Sequence, residues 1–160
     1  MQIADIGPND LEEVWALNEN SVPHVSRVDR NEMAWFAEHA HYFRVIRQGA
    51  KLAGFLIGLR PGLAYASPNY RWFSERYKDF GYIDRVAVAA SARRLGVATQ
   101  LYRDFAETLD NDVEVMTCEV NIRPANESSM QYHRRFGFTE VGTQQTEGGK
   151  KEVALMEMRL

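Results

Sequence analysis

The sequence predicts one α+β domain, built on a mixed but mainly antiparallel central sheet flanked by helices. Three observations carry that expectation. Helix signals occupy the first 40 residues and strand signals take over from Tyr42. A strand, helix, strand order follows between residues 82 and 120, where a central unit of the sheet is expected. The C-terminal KKEVALMEMRL repeats apolar residues with period two at Ala154, Met156, Met158 and Leu160, the signature of a half-buried strand. A chain of 160 residues, 45% hydrophobic, can bury an adequate core by itself, and no linker, repeat or low-complexity tract interrupts it. Residues 1–160 therefore read as a single domain.

Asn9 or Asp10 can cap a first helix carrying Leu11, Val14, Trp15 and Leu17. Asp29 can cap a second with Met33, Trp35, Phe36 and Ala37, and Pro23 in SVPHVSRV prevents the two from running together. YFRVIR and KLAGFLIGLR, separated by a turn at Gly49, form a hairpin. PGLAYASPN reads as a loop, and the aromatic YRWFSERYKDF fits helix and strand equally. From Tyr82 to Val88 the chain alternates, with Tyr82, Asp84, Val86 and Val88 on one face. AASARRLG turns into an amphipathic helix from about Val97 to Leu109, followed by a strand from Val113 to Val120. Asn126 can cap a helix that Gly137 ends. FTEVG and the C-terminal strand close the order around a flexible tip, TQQTEGGK.

Composition removes several classes of function. The lone Cys118 cannot form an internal disulfide and lacks the Cys/His neighbours of a structural zinc site, so no metal is expected and a reducing compartment suits the chain. No apolar run approaches membrane-spanning length and the N-terminus lacks a signal-peptide pattern, so a cytoplasmic protein without a membrane partner is expected. A net charge of −3 argues against a broad nucleic-acid surface but leaves room for a small basic pocket.

Such a pocket is suggested at Arg93-Arg94-Leu95-Gly96-Val97-Ala98-Thr99. Unpaired N–H groups at a helix start attract anions, Gly96 and Ala98 permit close approach, and the two arginines add charge-assisted donors. The same residues could also be a solvated turn. Neither GxGxxG nor GxxxxGK[ST] is present.

YIDRVAVAASARRLGVATQLYRDF resembles the acetyl-CoA-binding core of the GNAT superfamily of N-acetyltransferases, whose R/Q-x-x-G-x-G/A motif matches Arg93, Gly96 and Ala98. EVNIRPANESSMQYHRRFGFTEVG is similar to that family's closing segment through Asn126, the helix, an aromatic residue and Gly137-Phe138. The resemblance implies a strand ending at Val88 that splays from the one beginning near Val113. The acyl-pantetheine arm of acetyl-CoA would lie in the opening, against the backbone of Val86, Ala87 and Val88. It further implies a pyrophosphate held by residues 93–99, and contacts to the cofactor from Asn126, Ser129 and His133. For Asn126, a helix-capping role is an equal reading.

Acetyl transfer to an amine needs a base, an oxyanion donor and a proton for the departing thiolate. The family's usual Tyr donor position is His133 here, with Tyr132 as the adjacent alternative and a surface or partly buried histidine beside Arg134 and Arg135 as the bland one. Asp84 is the first base candidate and Glu119 the second, although Asp84 beside Arg85 could be structural. The oxyanion would meet the Val88 N–H. The acceptor is expected between SVPHVSRV and PGLAYASPNYRWF, where Tyr65, Trp72, His24 and Glu75 could line it or simply pack. Cys118 reads as a small core hydrophobe.

The expected function is acetyl-CoA-dependent N-acetylation of a primary amine, on a small molecule or a peptide N-terminus, by direct attack in a ternary complex. The alternatives are a non-catalytic acyl-CoA-binding domain and a transferase for another acyl group. The alternating C-terminal strand could also pair across a homodimer.

Overall fold

Local signals account for most helix starts. In the computed structural model, which describes all 160 residues, Asp29 accepts a hydrogen bond from the Glu32 N–H while the Glu32 side chain reaches back to the Asp29 N–H. This capping box starts the helix Arg30–His39 (α2). The preceding helix, Leu11–Asn20 (α1), follows a short turn at Pro8–Asp10. Asp10 ties that turn by accepting from the Gly7 N–H.

The first segment departs from the expected helix. Gln2–Asp5 is a strand (β1), paired antiparallel with Tyr42–Gln48 (β2) through Gln2↔Arg47 and Ile3↔Ile46. Four residues are too few to show a period, so the partner strand decides their conformation. The hairpin of β2 with Lys51–Leu59 (β3) is as expected. The ambiguous aromatic segment is a helix, Pro68–Arg76 (α3): Ser67 accepts from the Tyr70 N–H, Pro68 occupies the first turn, and Tyr70 and Phe73 face inward.

Gly81–Val88 (β4) and Val97–Thr108 (α4) match the expected positions closely. The next strand, Val115–Arg123 (β5), starts and ends a little later than its apolar run. Glu127–Phe136 (α5) ends at Gly137, whose φ of 127° a residue with a Cβ rarely adopts. Thr139–Thr146 (β6) and Lys151–Arg159 (β7) extend into the supposed flexible tip, which shrinks to a short turn at Glu147–Gly149. The fold is mixed α/β with five helices and a seven-stranded sheet in the order β1-β2-β3-β4-β5-β7-β6. Only β4 and β5 pair in parallel among the ladders described, so the sheet is mostly antiparallel as expected. No helix is long and apolar enough to cross a membrane.

The chain divides into two compact units. The first, residues 1–59 and 84–108, packs Ile46, Phe55, Leu56, Leu101 and Phe105 around β2, β3 and α4. The second, residues 60–83 and 109–160, packs Phe73, Phe80, Tyr82, Met116, Leu155 and Met156 around β5, β7 and α3. Strand β4 contributes its first three residues to the second unit and the rest to the first.

Candidate active site

In the first unit the turn before α4 has the features of an anion cradle. Arg94 and Gly96 both adopt positive φ, 64° and 77°, the left-handed backbone found in turns that hold anions. The Gly96 carbonyl accepts the first α4 bond, from Gln100, leaving the amides of Val97, Ala98 and Thr99 at the helix start. Arg93, Arg94, Leu95 and Gly96 are exposed, Ala98 and Thr99 half-buried, and Val97 anchors the turn in the core. No atom lies within 4 Å of where a Gly96 Cβ would be, so space remains beside the turn.

At the end of β4, Ala87 is buried while Val86 and Val88 are half-buried. The Ala87 carbonyl lies only 2.8 Å from the position a Cβ at Gly54 would take, so β3 approaches β4 closely here only because residue 54 is glycine.

Asp84 is not an isolated carboxylate. Its Oδ2 accepts from Arg85 Nε at 2.7 Å, and the two side chains are 3% and 4% exposed. Arg85 Nη1 donates to Asn18 Oδ1 at 3.1 Å and to the Ser26 carbonyl at 2.9 Å, and Nη2 donates to Ser26 Oγ at 3.1 Å. The first-ranked base candidate is thus the counter-ion of a buried guanidinium. Its salt bridge realises the structural role that adjacency to Arg85 suggested.

The second unit holds the other carboxylate. The parallel ladder of β4 with β5 consists of Gly81↔Met116 and Tyr82↔Thr117. Tyr82, fully buried, donates its phenolic O–H to Glu119 at 2.8 Å to Oε2 and 3.0 Å to Oε1. Phe73 and Tyr70 of α3 pack their rings on Tyr82 at 5.8 and 5.6 Å. The register Glu119↔Leu155 and Gly142↔Leu155 puts Glu119 on the sheet face that α3 covers. Trp72 there lies against Gly142, at 2.8 Å from a hypothetical Cβ, and Asn69 Oδ1 accepts from Gln144 Nε2 at 2.9 Å. Gly137, at the end of α5, packs on Met158 of the opposite face.

Asn126 caps α5 by accepting from the Ser129 N–H, the reading weighed against cofactor contact. His133 is buried, with Nδ1 at 2.7 Å from the Ser129 carbonyl and 3.3 Å from Ser129 Oγ, and its ring meets Phe138 edge-on. A carbonyl only accepts, so Nδ1 carries a proton. Neutral His133 then has none on Nε2. Burial lowers its pKa from the ordinary 6.5, partly opposed by the bond to Ser129. Tyr132 is half-buried on the neighbouring helix face, its ring 6.1 Å from Phe136.

Of the acceptor candidates, Tyr65 packs on Tyr70 and Trp72 on Gly142, while His24 and Glu75 are exposed. Cys118 is buried, and burial together with the Glu119 charge raises its thiol pKa well above the usual value. That supports packing over reactivity. Sequence reasoning missed two residues, Tyr82 and Arg85. Alternation put Tyr82 on a face with Asp84, but its partner on β5 follows only from the strand register.

The chain matches the acetyltransferase (GNAT) family over residues 10–138. It is 21% identical over 139 residues to an N-alpha-acetyltransferase of Sulfolobus acidocaldarius, covering 83% of this chain and 76% of that protein. Among solved structures it is similar to Ard1 from Thermoplasma volcanium, with a TM-score of 0.80, 17% identity, and 99% and 97% of the two chains covered. It is also similar to Arabidopsis thaliana NAA60 in complex with a bisubstrate analogue, with a TM-score of 0.77, 16% identity, and 99% and 97% covered. With a family match over most of its length and the expected fold around it, this chain belongs to the GNAT family of acetyltransferases.

Proposed function

We propose that the protein transfers an acetyl group from acetyl-CoA to a primary amine, on a small molecule or a peptide N-terminus, by direct attack in a ternary complex. The observation that carries the mechanism is the Glu119 carboxylate held by the Tyr82 hydroxyl. The phenol hydroxyl donates to this carboxylate, whereas Asp84 is paired with the buried Arg85 guanidinium. Glu119 is therefore the base in this reading, in place of Asp84.

The turn of residues 93–99 supports binding of the CoA pyrophosphate through backbone amides and arginine charge. Val86, Ala87 and Val88 would meet the pantetheine arm, with Asn126 and Ser129 near the start of α5 as further contacts. Glu119, directly or through one water, takes a proton from the acceptor ammonium. The neutral nitrogen attacks the thioester carbonyl, the new C–N bond forms, and the Val88 N–H meets the oxyanion. The C–S bond then breaks, the thiolate takes a proton from the donor, and the nitrogen gives up its second proton to leave a neutral amide, which returns the donor to its resting form. Phenols ordinarily titrate near pH ~10 and so carry a proton at physiological pH, which makes Tyr132 the first donor in this reading. Neutral His133 carries its proton on Nδ1, toward the Ser129 carbonyl, so it ranks second as donor.

The likeness to a protein named as an N-alpha-acetyltransferase supports a peptide N-terminus over other amines. The test is thiol release from acetyl-CoA with a panel of small amines and of peptides bearing free α-amino groups. Saturable, acceptor-dependent release is expected. Absence of CoA binding by calorimetry overturns the proposal, and binding without turnover favours the acyl-CoA-binding alternative.

A further inference from the structure

The loop between α1 and α2, residues 21–29, is largely exposed, with Pro23, His24, Ser26 and Arg27 all open to solvent. Val28 is buried and Val25 half-buried, and the shape of the exposed remainder depends on what it is tied to. Its two ends are tied locally. Ser21 Oγ donates to the Leu17 carbonyl at 2.7 Å, and Trp15 Nε1 donates to the Val28 carbonyl at 2.9 Å.

The middle of the loop is tied to the sheet. Ser26 offers its carbonyl to Arg85 Nη1 and Asn18 Nδ2, at 2.9 and 3.1 Å, and its hydroxyl to Arg85 Nη2 at 3.1 Å. The guanidinium is buried, lies over the Phe36 ring at 5.4 Å, and is held from behind by Asp84 and from the side by Asn18 Oδ1. One planar fork thus reaches a carboxylate, an amide oxygen, a carbonyl and a hydroxyl. A lysine ammonium could not span that set.

We propose that Arg85 is a positioning residue whose fork, aimed by Asp84 and Asn18, sets the conformation of loop 21–29 and through it the affinity for the acceptor amine. The link to the acceptor rests on the acetyltransferase reading and on this loop bounding the acceptor. The anchoring itself rests on neither. Asp84 then has a function after all, one step removed from the chemistry: it holds Arg85 charged, buried and oriented.

Two variants test the proposal. Ser26→Ala removes one exposed hydroxyl and leaves the buried ion pair intact. Arg85→Lys retains a cation for Asp84 and loses the fork. In both, hydrogen exchange of amides 21–29 should accelerate at least fivefold while exchange in β4 and β5 stays unchanged. With peptides bearing free α-amino groups as acceptors, acceptor KM should rise three- to tenfold, with kcat and the KM for acetyl-CoA changing less than twofold. Unchanged loop exchange in both variants overturns the anchoring. Faster loop exchange with an unchanged acceptor KM, or an equal rise in both KM values, overturns the link to the acceptor. If the wild-type protein turns over no acceptor, the acetyltransferase reading and its acceptor link fail, while the exchange data still decide whether Arg85 anchors the loop.

Discussion

Two carboxylates associated with the same strand, Asp84 in β4 and Glu119 bonded to Tyr82 of β4, have been given opposite environments. Asp84 is buried against a guanidinium that is itself bonded to Asn18 and Ser26. Its Oδ2 accepts from the Arg85 guanidinium, and in the proposed scheme it acts on the loop through that group. Glu119 accepts from the Tyr82 hydroxyl, a neutral donor. The contrast teaches that, in the proposed mechanism, proximity to the expected strand position does not select the base. The partner does: a cation turns a carboxylate into a structural counter-ion, and a phenol orients one for proton transfer.

The largest expected effect separates the two directly. Glu119→Gln keeps the hydrogen bond to Tyr82 but removes the basic oxygen, so kcat/KM should fall about 10²- to 10³-fold with little change in melting temperature. Steady-state rates and a thermal melt check both halves. A variant with wild-type rates would remove Glu119 from the mechanism.

Asp84→Asn should show the inverse pattern. Leaving the Arg85 guanidinium buried without its counter-ion costs about 3 kcal/mol, which for a chain of this size lowers Tm by roughly 6–12 °C. Turnover by the protein still folded should change less than about tenfold. A rate loss matching that of Glu119→Gln, with stability retained, would reverse the assignment.

Tyr82→Phe is a milder probe. It removes one hydrogen bond to a charged group while the ring continues to pack on Phe73 and Tyr70. The expected loss in kcat is about tenfold, in line with the worth of such a bond. Because the contribution of Tyr82 acts through Glu119, combining the two substitutions should cost little more than Glu119→Gln alone.

The smallest effect concerns His133, whose folded pKa lies below the ordinary 6.5 because of burial. Above that value both folded and unfolded forms are neutral, and the group adds no pH dependence. As the pH falls below it, the unfolded chain binds a proton that the folded protein resists, so stability decreases with a slope of at most ~1.4 kcal/mol per pH unit. Chemical denaturation between pH 7.5 and 5.5 should show this slope, and His133→Gln should remove it. The same chemistry predicts that His133→Gln slows turnover less than Tyr132→Phe does.

The order of elements was legible because its signals are local. Asp29, Ser67 and Asn126 cap helices by bonds within three residues, and Gly137 ends one by its conformation. The turn at 93–99 was legible for the same reason, since its glycine, arginines and helix start are contiguous. Strand β1 was not, because four residues acquire their structure from the ladder with β2. Helix α3 was ambiguous because its aromatic residues suit either period until Tyr70 and Phe73 have a core to face.

The site divides along the same line. By itself the sequence determined the fold class, the family resemblance, the turn ahead of α4 and the short list of titratable groups, all of which depend on neighbours in the chain. Only the tertiary structure supplied the partners of those groups. Strand register set the Tyr82 hydroxyl on Glu119, and Arg85 brought Asp84 together with a loop some 60 residues away in the chain. The charge, orientation and availability of a side chain are set by atoms that chain order does not reveal.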